Sequence, residues 1–290
     1  MSLSTNETIL FNSSLISKYE GVERRVLFDV KIVKCGDYIH VYQFSNTRSK
    51  VNKRDEDKKI NIKKIDTDNL TKVSSSDRVE EVKPILLANA IRSNLNCQRI
   101  AKTNRDSWET FITLTFKENL TDIVQANKIF NAWVSNIRKL KKDFKYIAVP
   151  EFQKRGAVHY HVLSNLGRED TNIIYLQKER VGKAKDLTTI YDVKYWTKGF
   201  ARVDFIKSDY KKIYGYICKY MTKDIDNKLF GKHRYFNSQN LVKPQTEYLD
   251  LTKKEDYDYF IKLTNNKSVE YTSDYKDIYT DSDITFYELL

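Results

Sequence analysis

Two histidines one residue apart, His159 and His161, stand in the stretch KYIAVPEFQKRGAVHYHVL (145–163), with Glu151 eight residues ahead of the first. Side chains alternate across a strand, so in an extended Val158–Leu163 the two imidazoles share one face and Tyr160 takes the other. The apolar run Tyr146–Val149 predicts an earlier strand that ends near Glu151. Between them, Gln153-Lys154-Arg155-Gly156 is polar and carries a glycine free to take positive φ, so the chain can reverse there. Glu151 then folds back beside the pair. Two imidazoles and a carboxylate are a donor set that can hold a divalent metal and leave positions open for substrate. The plainer reading is a pair of solvated histidines on an exposed strand. Against it, two of only four histidines in the chain lie here, flanked by Val158, Val162 and Leu163. Polar groups projecting from so apolar a strand need a reason.

A second group of reactive side chains follows in YGYICKYMTKD (214–224). On a helix, Tyr216 and Tyr220 lie four apart on one face, and Lys219 and Lys223 each follow a tyrosine by three residues. Tyr214 points to the opposite side. Tyrosines at this spacing are ordinarily core or interface aromatics, but a buried stripe would not carry the lysines. A phenol near a cation and a metal is drawn toward phenolate, its nucleophilic form.

The elements that must position these groups can be read from periodicity. Phe111–Phe116 (FITLTF) alternates strictly and predicts a strand. A helix from Asp122 to about Phe144 follows, its apolar positions Ile123, Ala126, Phe130, Trp133, Ile137 and Leu140 forming one stripe. After the two strands around Glu151 and the histidines, 164–187 is rich in loop residues. Thr188–Trp196 predicts a short helix, Gly199–Ile206 an alternating strand, and Ser208 to about Ile225 the helix of the tyrosines. This order implies an α+β fold: an antiparallel sheet with helices on one face, close to a split βαβ or ferredoxin-like plan. Ahead of it, Arg25–Ser45 reads as a hairpin turning at Gly36-Asp37, with His40 an exposed residue of its second strand. Part of the polar run 46–83 reads as a flexible or peripheral basic segment, and Leu86–Asn104 as a helix. The expected domains are therefore 1–105, 106–250 and an acidic tail, 251–290.

Composition sets the outer limits. A chain of 290 residues can bury a sizeable core. No apolar run approaches a membrane span, no secretory signal opens the sequence, and three scattered cysteines suit reduced thiols, so a cytoplasmic protein is expected. The net charge is +12; the tail holds five Lys against nine Asp or Glu, a net of −4, so residues 1–250 carry +16. A basic, tyrosine-rich body suits a polyanion with unpaired bases. An abundance of Lys, Asn, Ile and Tyr from an AT-rich genome is the plainer source of the same bias.

Taken together, FITLTF, Glu151 with His159-Tyr160-His161, and YICKYMTK (216–223) resemble, in order, the three motifs of HUH-superfamily rolling-circle replication initiators. The two-tyrosine form is similar to microvirus gene A proteins, and GKHRYFNSQNLVKP (231–244) to small phage and plasmid Rep proteins of Gram-positive bacteria. The resemblance implies a ferredoxin- or RRM-like endonuclease core. In it, Mg²⁺ or Mn²⁺ is held by His159, His161 and Glu151, and a tyrosine cuts single-stranded origin DNA. That cut leaves a 5′-phosphotyrosine and a free 3′-OH, and a second transfer rejoins strands. Some related plasmid initiators carry glutamate where Tyr216 stands, so the first attack is assigned to Tyr220. No phosphate-loop motif occurs in the sequence, so a host helicase and polymerase are the expected partners. Two other classes stay open: a non-catalytic RRM-like single-strand binder whose tyrosines only stack bases, and an HUH transposase or relaxase.

Overall fold

The computed structural model of the chain describes residues 25–51, 76–170, 172–179, 188–206, 214–215, 217, 233–277 and 282–290. It has the expected mixed α+β architecture with antiparallel sheets. The chain divides into two units, Met1–Asn61 with Pro244–Leu290, and Ile62–Lys243.

The second unit carries the histidines. Its elements are α1 (Ser76–Thr103), β3 (Thr110–Phe116), α2 (Ile123–Leu140), β4 (Tyr146–Phe152), β5 (Val158–Ser164), β6 (Ile173–Glu179), β7 (Thr188–Val193), β8 (Gly199–Phe205) and β9 (Phe236–Asn237). Five strands form one sheet in the order β8-β3-β5-β4-β9, with β5 at its centre. Asp122 caps α2 by accepting from the Val124 amide at 2.8 Å, which satisfies a donor the helix itself leaves free. The α2 stripe buries Ile123, Ala126, Phe130, Trp133, Val134 and Ile137, whereas Leu140 is exposed at the last turn. It packs on one sheet face against Ile112, Leu114, Tyr146, Ala148, Val158, Tyr160 and Val162.

The opposite face is also covered, at one end. Cys97 and Ala101 of α1 pack there with Trp108, Phe111, Ile147, Val149, Leu163, Tyr214, Ile217 and Leu241. The α1 helix thus belongs to the core of this unit, because the odd-numbered positions of β3 to β5 are as apolar at that end as the even ones. The remaining odd positions, toward the β4–β5 turn, are the polar ones.

Two expectations for the middle of the chain need correction. Thr188–Trp196 is not a short helix, and the loop-rich stretch 164–187 includes a strand, Ile173–Glu179. Strands β6 and β7 pair antiparallel, with Ile173 opposite Val193 and Glu179 opposite Thr188. The threonines, isoleucine and valine of TTIYDV are β-branched and favour a strand once a partner exists. The turn after β7 is bolted to the large sheet. Trp133 Nε1 donates to the Lys194 carbonyl at 3.0 Å, and Trp196 Nε1 donates to the Thr115 carbonyl at 3.1 Å. Tyr195 sits between these anchors at φ 65°, a left-handed conformation that costs a non-glycine residue about 1 kcal/mol.

The first unit holds β1 (Arg25–Cys35), β2 (Tyr38–Val51), β10 (Gln245–Leu249), α3 (Lys254–Thr264), β11 (Val269–Lys276) and β12 (Asp283–Leu289). The expected hairpin is present and turns at Gly36, φ 67°. The segment expected as an acidic tail folds with it, in a five-stranded sheet ordered β10-β1-β2-β12-β11. Strand β12 pairs along β2 from Ile284 opposite Phe44 to Leu289 opposite Ile39. Its alternating DITFYEL supplies apolar partners for an edge that the hairpin alone would leave open. His40 is not the exposed residue that alternation suggests. It is 1% exposed, 3.0 Å from Glu288 Oε2, because β12 and Phe286 cover it. No helix among the described residues is long and apolar enough to cross a membrane.

Gly199 opens β8 where it runs tightest against β3. A methyl there would overlap the Thr115 carbonyl oxygen and lie 2.6 Å from the Lys117 nitrogen, both backbone atoms. Gly199→Ala should lower the unfolding free energy by about 2–3 kcal/mol, because the strand must shift to relieve the overlap. Chemical denaturation of the two proteins measures this, and equal midpoints would mean that the strands separate freely.

Candidate active site

The site is built by the alternation of β5. Tyr160 is fully buried on the α2 side, its ring stacked on Phe130 at 4.5 Å and 12°, and its hydroxyl donates to Asn127 Oδ1 at 2.7 Å. Burial holds its phenol far above the usual tyrosine range. Tyr160 is therefore a structural anchor. With it fixed inward, His159 and His161 must project from the other face.

Gly156 makes the β4–β5 turn at φ 85°, as the sequence requires, and sets the register. Glu151 is the register partner of His159, and Val149 of His161. The strands bring the three expected ligands onto adjoining positions of one face. Glu151 Oε2 accepts from His161 Nε2 at 2.8 Å. The other nitrogen of that ring, Nδ1, lies 3.4 Å from the Thr113 hydroxyl, and the ring stacks on Phe111 at 5.7 Å and 27°. Thr113 is a site residue that sequence reasoning misses, although the alternation of FITLTF puts it on one face with Phe111 and Thr115. What the sequence does not reveal is that β3 lies directly beside β5, opposing Thr113 to His161.

His159 differs from its neighbour. Its Nε2 is buried with no hydrogen-bond partner. Burial depresses its pKa, as do the His161 imidazole and, more weakly, Arg155, while Glu151 acts in the opposite sense. The ring is thus held neutral, in the form that can donate a lone pair. Among the described residues no three His, Cys, Asp or Glu side chains are gathered into a finished metal cluster. Glu151 is hydrogen-bonded to His161 and is the register partner of His159. The chemistry of the set still fits a divalent ion, since imidazole nitrogens and a carboxylate are the donor types such ions take, and the His159 Nε2 is buried without a hydrogen-bond partner.

Tyr216, Tyr220, Lys219 and Lys223 lie outside the described residues. Their neighbours Tyr214 and Ile217 are helical and buried, on the sheet face that bears the histidines.

With this geometry in place, comparisons with known proteins give a consistent picture. Residues 109–225 match a family model described as replication-associated protein, of the ORF2 kind. The matched span runs from the start of β3 through Tyr220. A second likeness is to a protein of Escherichia coli described as Phasyl DNA replicon protein arp. The two are 30% identical over 131 residues, 41% of this chain and 44% of that protein, so the chain spans less than half the length of this relative. No solved structure matches. The part of the chain that forms the large sheet and carries the histidines is thus similar to replication-associated proteins.

The pH behaviour of this unit should carry the mark of His159. Its folded pKa lies below the ordinary value of 6.5, so the unfolded chain takes up the proton first. The stability gained by burying the neutral ring is fully present above that value and is lost as the pH falls through it toward the folded pKa. Denaturation midpoints followed from neutral to mildly acidic pH should fall more steeply for the wild type than for His159→Gln. Parallel curves would mean that the ring is protonated as readily folded as unfolded.

Proposed function

We propose that the protein is a replication initiator of the HUH type, which cuts single-stranded origin DNA with a tyrosine and leaves a 3′-OH from which a host polymerase extends. One observation carries the reading: His159, His161 and Glu151 adjoin on one sheet face, with a buried imidazole nitrogen that has no partner. The likeness of residues 109–225 to replication-associated proteins supports it independently.

In this reading His159, His161 and Glu151 would hold Mg²⁺ or Mn²⁺. When bound, such an ion supplies Lewis-acid polarisation and a template for the phosphodiester. The Tyr220 oxygen attacks phosphorus, the bond to the 3′ oxygen breaks, and the phenol proton passes finally to that oxygen. The products are a 5′-phosphotyrosine and a free 3′-OH. Tyr216 performs the second transfer that rejoins strands, and Lys219 and Lys223 favour the phenolates. Thr113 orients the His161 ring, as outer partners of ligating histidines do. The DNA substrate, a host helicase and a cytoplasmic setting complete the proposal.

Two experiments test it. His159→Ala and His161→Ala should each abolish cleavage of single-stranded origin DNA while leaving affinity within a few fold, because phosphate contacts dominate binding. Chelation should reproduce the loss, and cleavage persisting in EDTA would exclude the metal.

For the tyrosines, mass spectrometry of the covalent product should find the nucleotide on Tyr220. Tyr220→Phe should lose most of the initial cut. Tyr216→Phe should still cut but fail to release circles from a template with two origins. An adduct on neither residue would leave a non-catalytic binder as the better account.

A further inference from the structure

The polar row around the histidines continues across the sheet to an aromatic side chain that neither the packing nor the proposed chemistry employs. Glu151 opposes His159, His159 opposes Thr115, and Thr115 opposes Phe200 of β8. These four residues therefore form a single line across four strands, all on one face. Ala201 and Val203 pack on the α2 side, which assigns Phe200 and Arg202 to the histidine-bearing face. Two strand spacings separate Phe200 from His159, about 10 Å, close to the reach of one or two extended nucleotides.

Phe200 is 74% exposed, the highest value among the large apolar residues described. Nothing in folding favours such a ring there, and the backbone is shaped to present it. Gly199 has no room for a side chain, Trp196 pins the preceding turn to Thr115, and Tyr195 accepts a left-handed backbone.

The surroundings select the occupant. Lys117 and Lys198 are exposed where β3 meets β8, their backbones joined by a 2.8 Å hydrogen bond. Lys154 and Arg155 are exposed on the β4–β5 turn at the same end of the sheet. Arg202, one row back from Phe200, opposes Thr113 and is 62% exposed, sharing its guanidinium with Asp204 at 3.1 Å. Glu118 is the acidic residue beside Lys117. An exposed flat ring amid these lysines and arginines, on a line with a metal-type donor set, suits an unpaired base and its phosphates rather than an apolar protein surface.

We infer that Phe200 is a positioning residue that stacks a base of single-stranded DNA next to the phosphate held at the histidine pair, with Arg202 contacting the backbone. This rests on the proposed reading of the histidine site, yet it can be tested apart from catalysis. The probe is a thymine homopolymer carrying one 2-aminopurine, titrated in EDTA so that no cleavage or metal binding enters.

Wild type should change the probe's fluorescence on binding. Phe200→Ala should weaken binding about tenfold and abolish that change, since stacking on one aromatic ring is worth roughly 1–3 kcal/mol per base. Phe200→Trp should restore both. Arg202→Ala should reduce the salt dependence by about one phosphate contact without removing the fluorescence change. Melting temperatures should not move, because the ring packs against nothing that folding needs. Unchanged affinity in Phe200→Ala, failure of Trp to restore it, or a lowered melting temperature accompanying the loss would overturn the inference. A wild type that stacks the probe but forms no tyrosine adduct on origin DNA would sink the nuclease reading and leave this one standing.

Discussion

Everything proposed for this protein depends on Tyr160 being unable to leave the core. Its ring lies flat on Phe130, its hydroxyl is taken by Asn127, and its strand is hydrogen-bonded on both sides, to β3 and to β4. A slip of one residue in β5 would turn both imidazoles into the α2 interface and Tyr160 toward solvent, exposing its large apolar area and burying two titratable rings without partners. The energetic gap between these registers is what presents His159 and His161 together. The face they occupy is otherwise sealed at its far end by α1, Tyr214 and Ile217. Its polar end is thus bounded by packing on one side and by the β4–β5 turn on the other.

Within that polar end the histidines are not equivalent. His161 is held between Glu151 and Thr113 and is stacked on Phe111, so its orientation is determined by three neighbours. His159 has a buried nitrogen with no partner, a state that costs free energy unless something occupies it during function. An arrangement with one oriented imidazole and one unsatisfied imidazole beside a carboxylate gains little as a structural device. In the proposed cation site that nitrogen would gain a partner.

The other unit follows a different logic. A hairpin near the beginning of the chain and the strands near its end make one sheet, and the sequence of the histidine-bearing unit is inserted between β2 and β10. Neither partner suffices alone: in the hairpin the outer edge of β2 from Ile39 to Phe44 has unpaired backbone groups, and β12 has an alternating pattern with nothing local to pair with except β11. Joining them closes a core of Val30, Ile32, Ile39, Val41, Leu249, Phe260 and Leu289 under α3. Lys34, Glu247 and Tyr259 tie β1, β10 and α3 together at its rim. Net charge misleads here, because an acidic segment looks like a tail only while its strand partner is unknown.

Local pattern was enough to read the α2 stripe, the FITLTF strand, both glycine turns and the sharing of one face by His159 and His161. Each of these follows from a period of two or 3.6 residues, or from a positive φ, and those are properties of consecutive residues. That Glu151 folds back beside the histidine pair was legible as well, because a tight turn joins their strands. What lay outside the reach of pattern was every relation between segments distant in the chain. The β-branched run 188–193 resembled a helix until β6 was there to pair with it. His40 read as exposed until β12 covered it, and Leu140 read as core although it is exposed at the end of α2. Thr113 and Phe200 share the face of the histidines only because β3 lies beside β5 and β8 beside β3. That alignment is decided by burial summed over the whole sheet, a quantity that no single stretch of sequence contains.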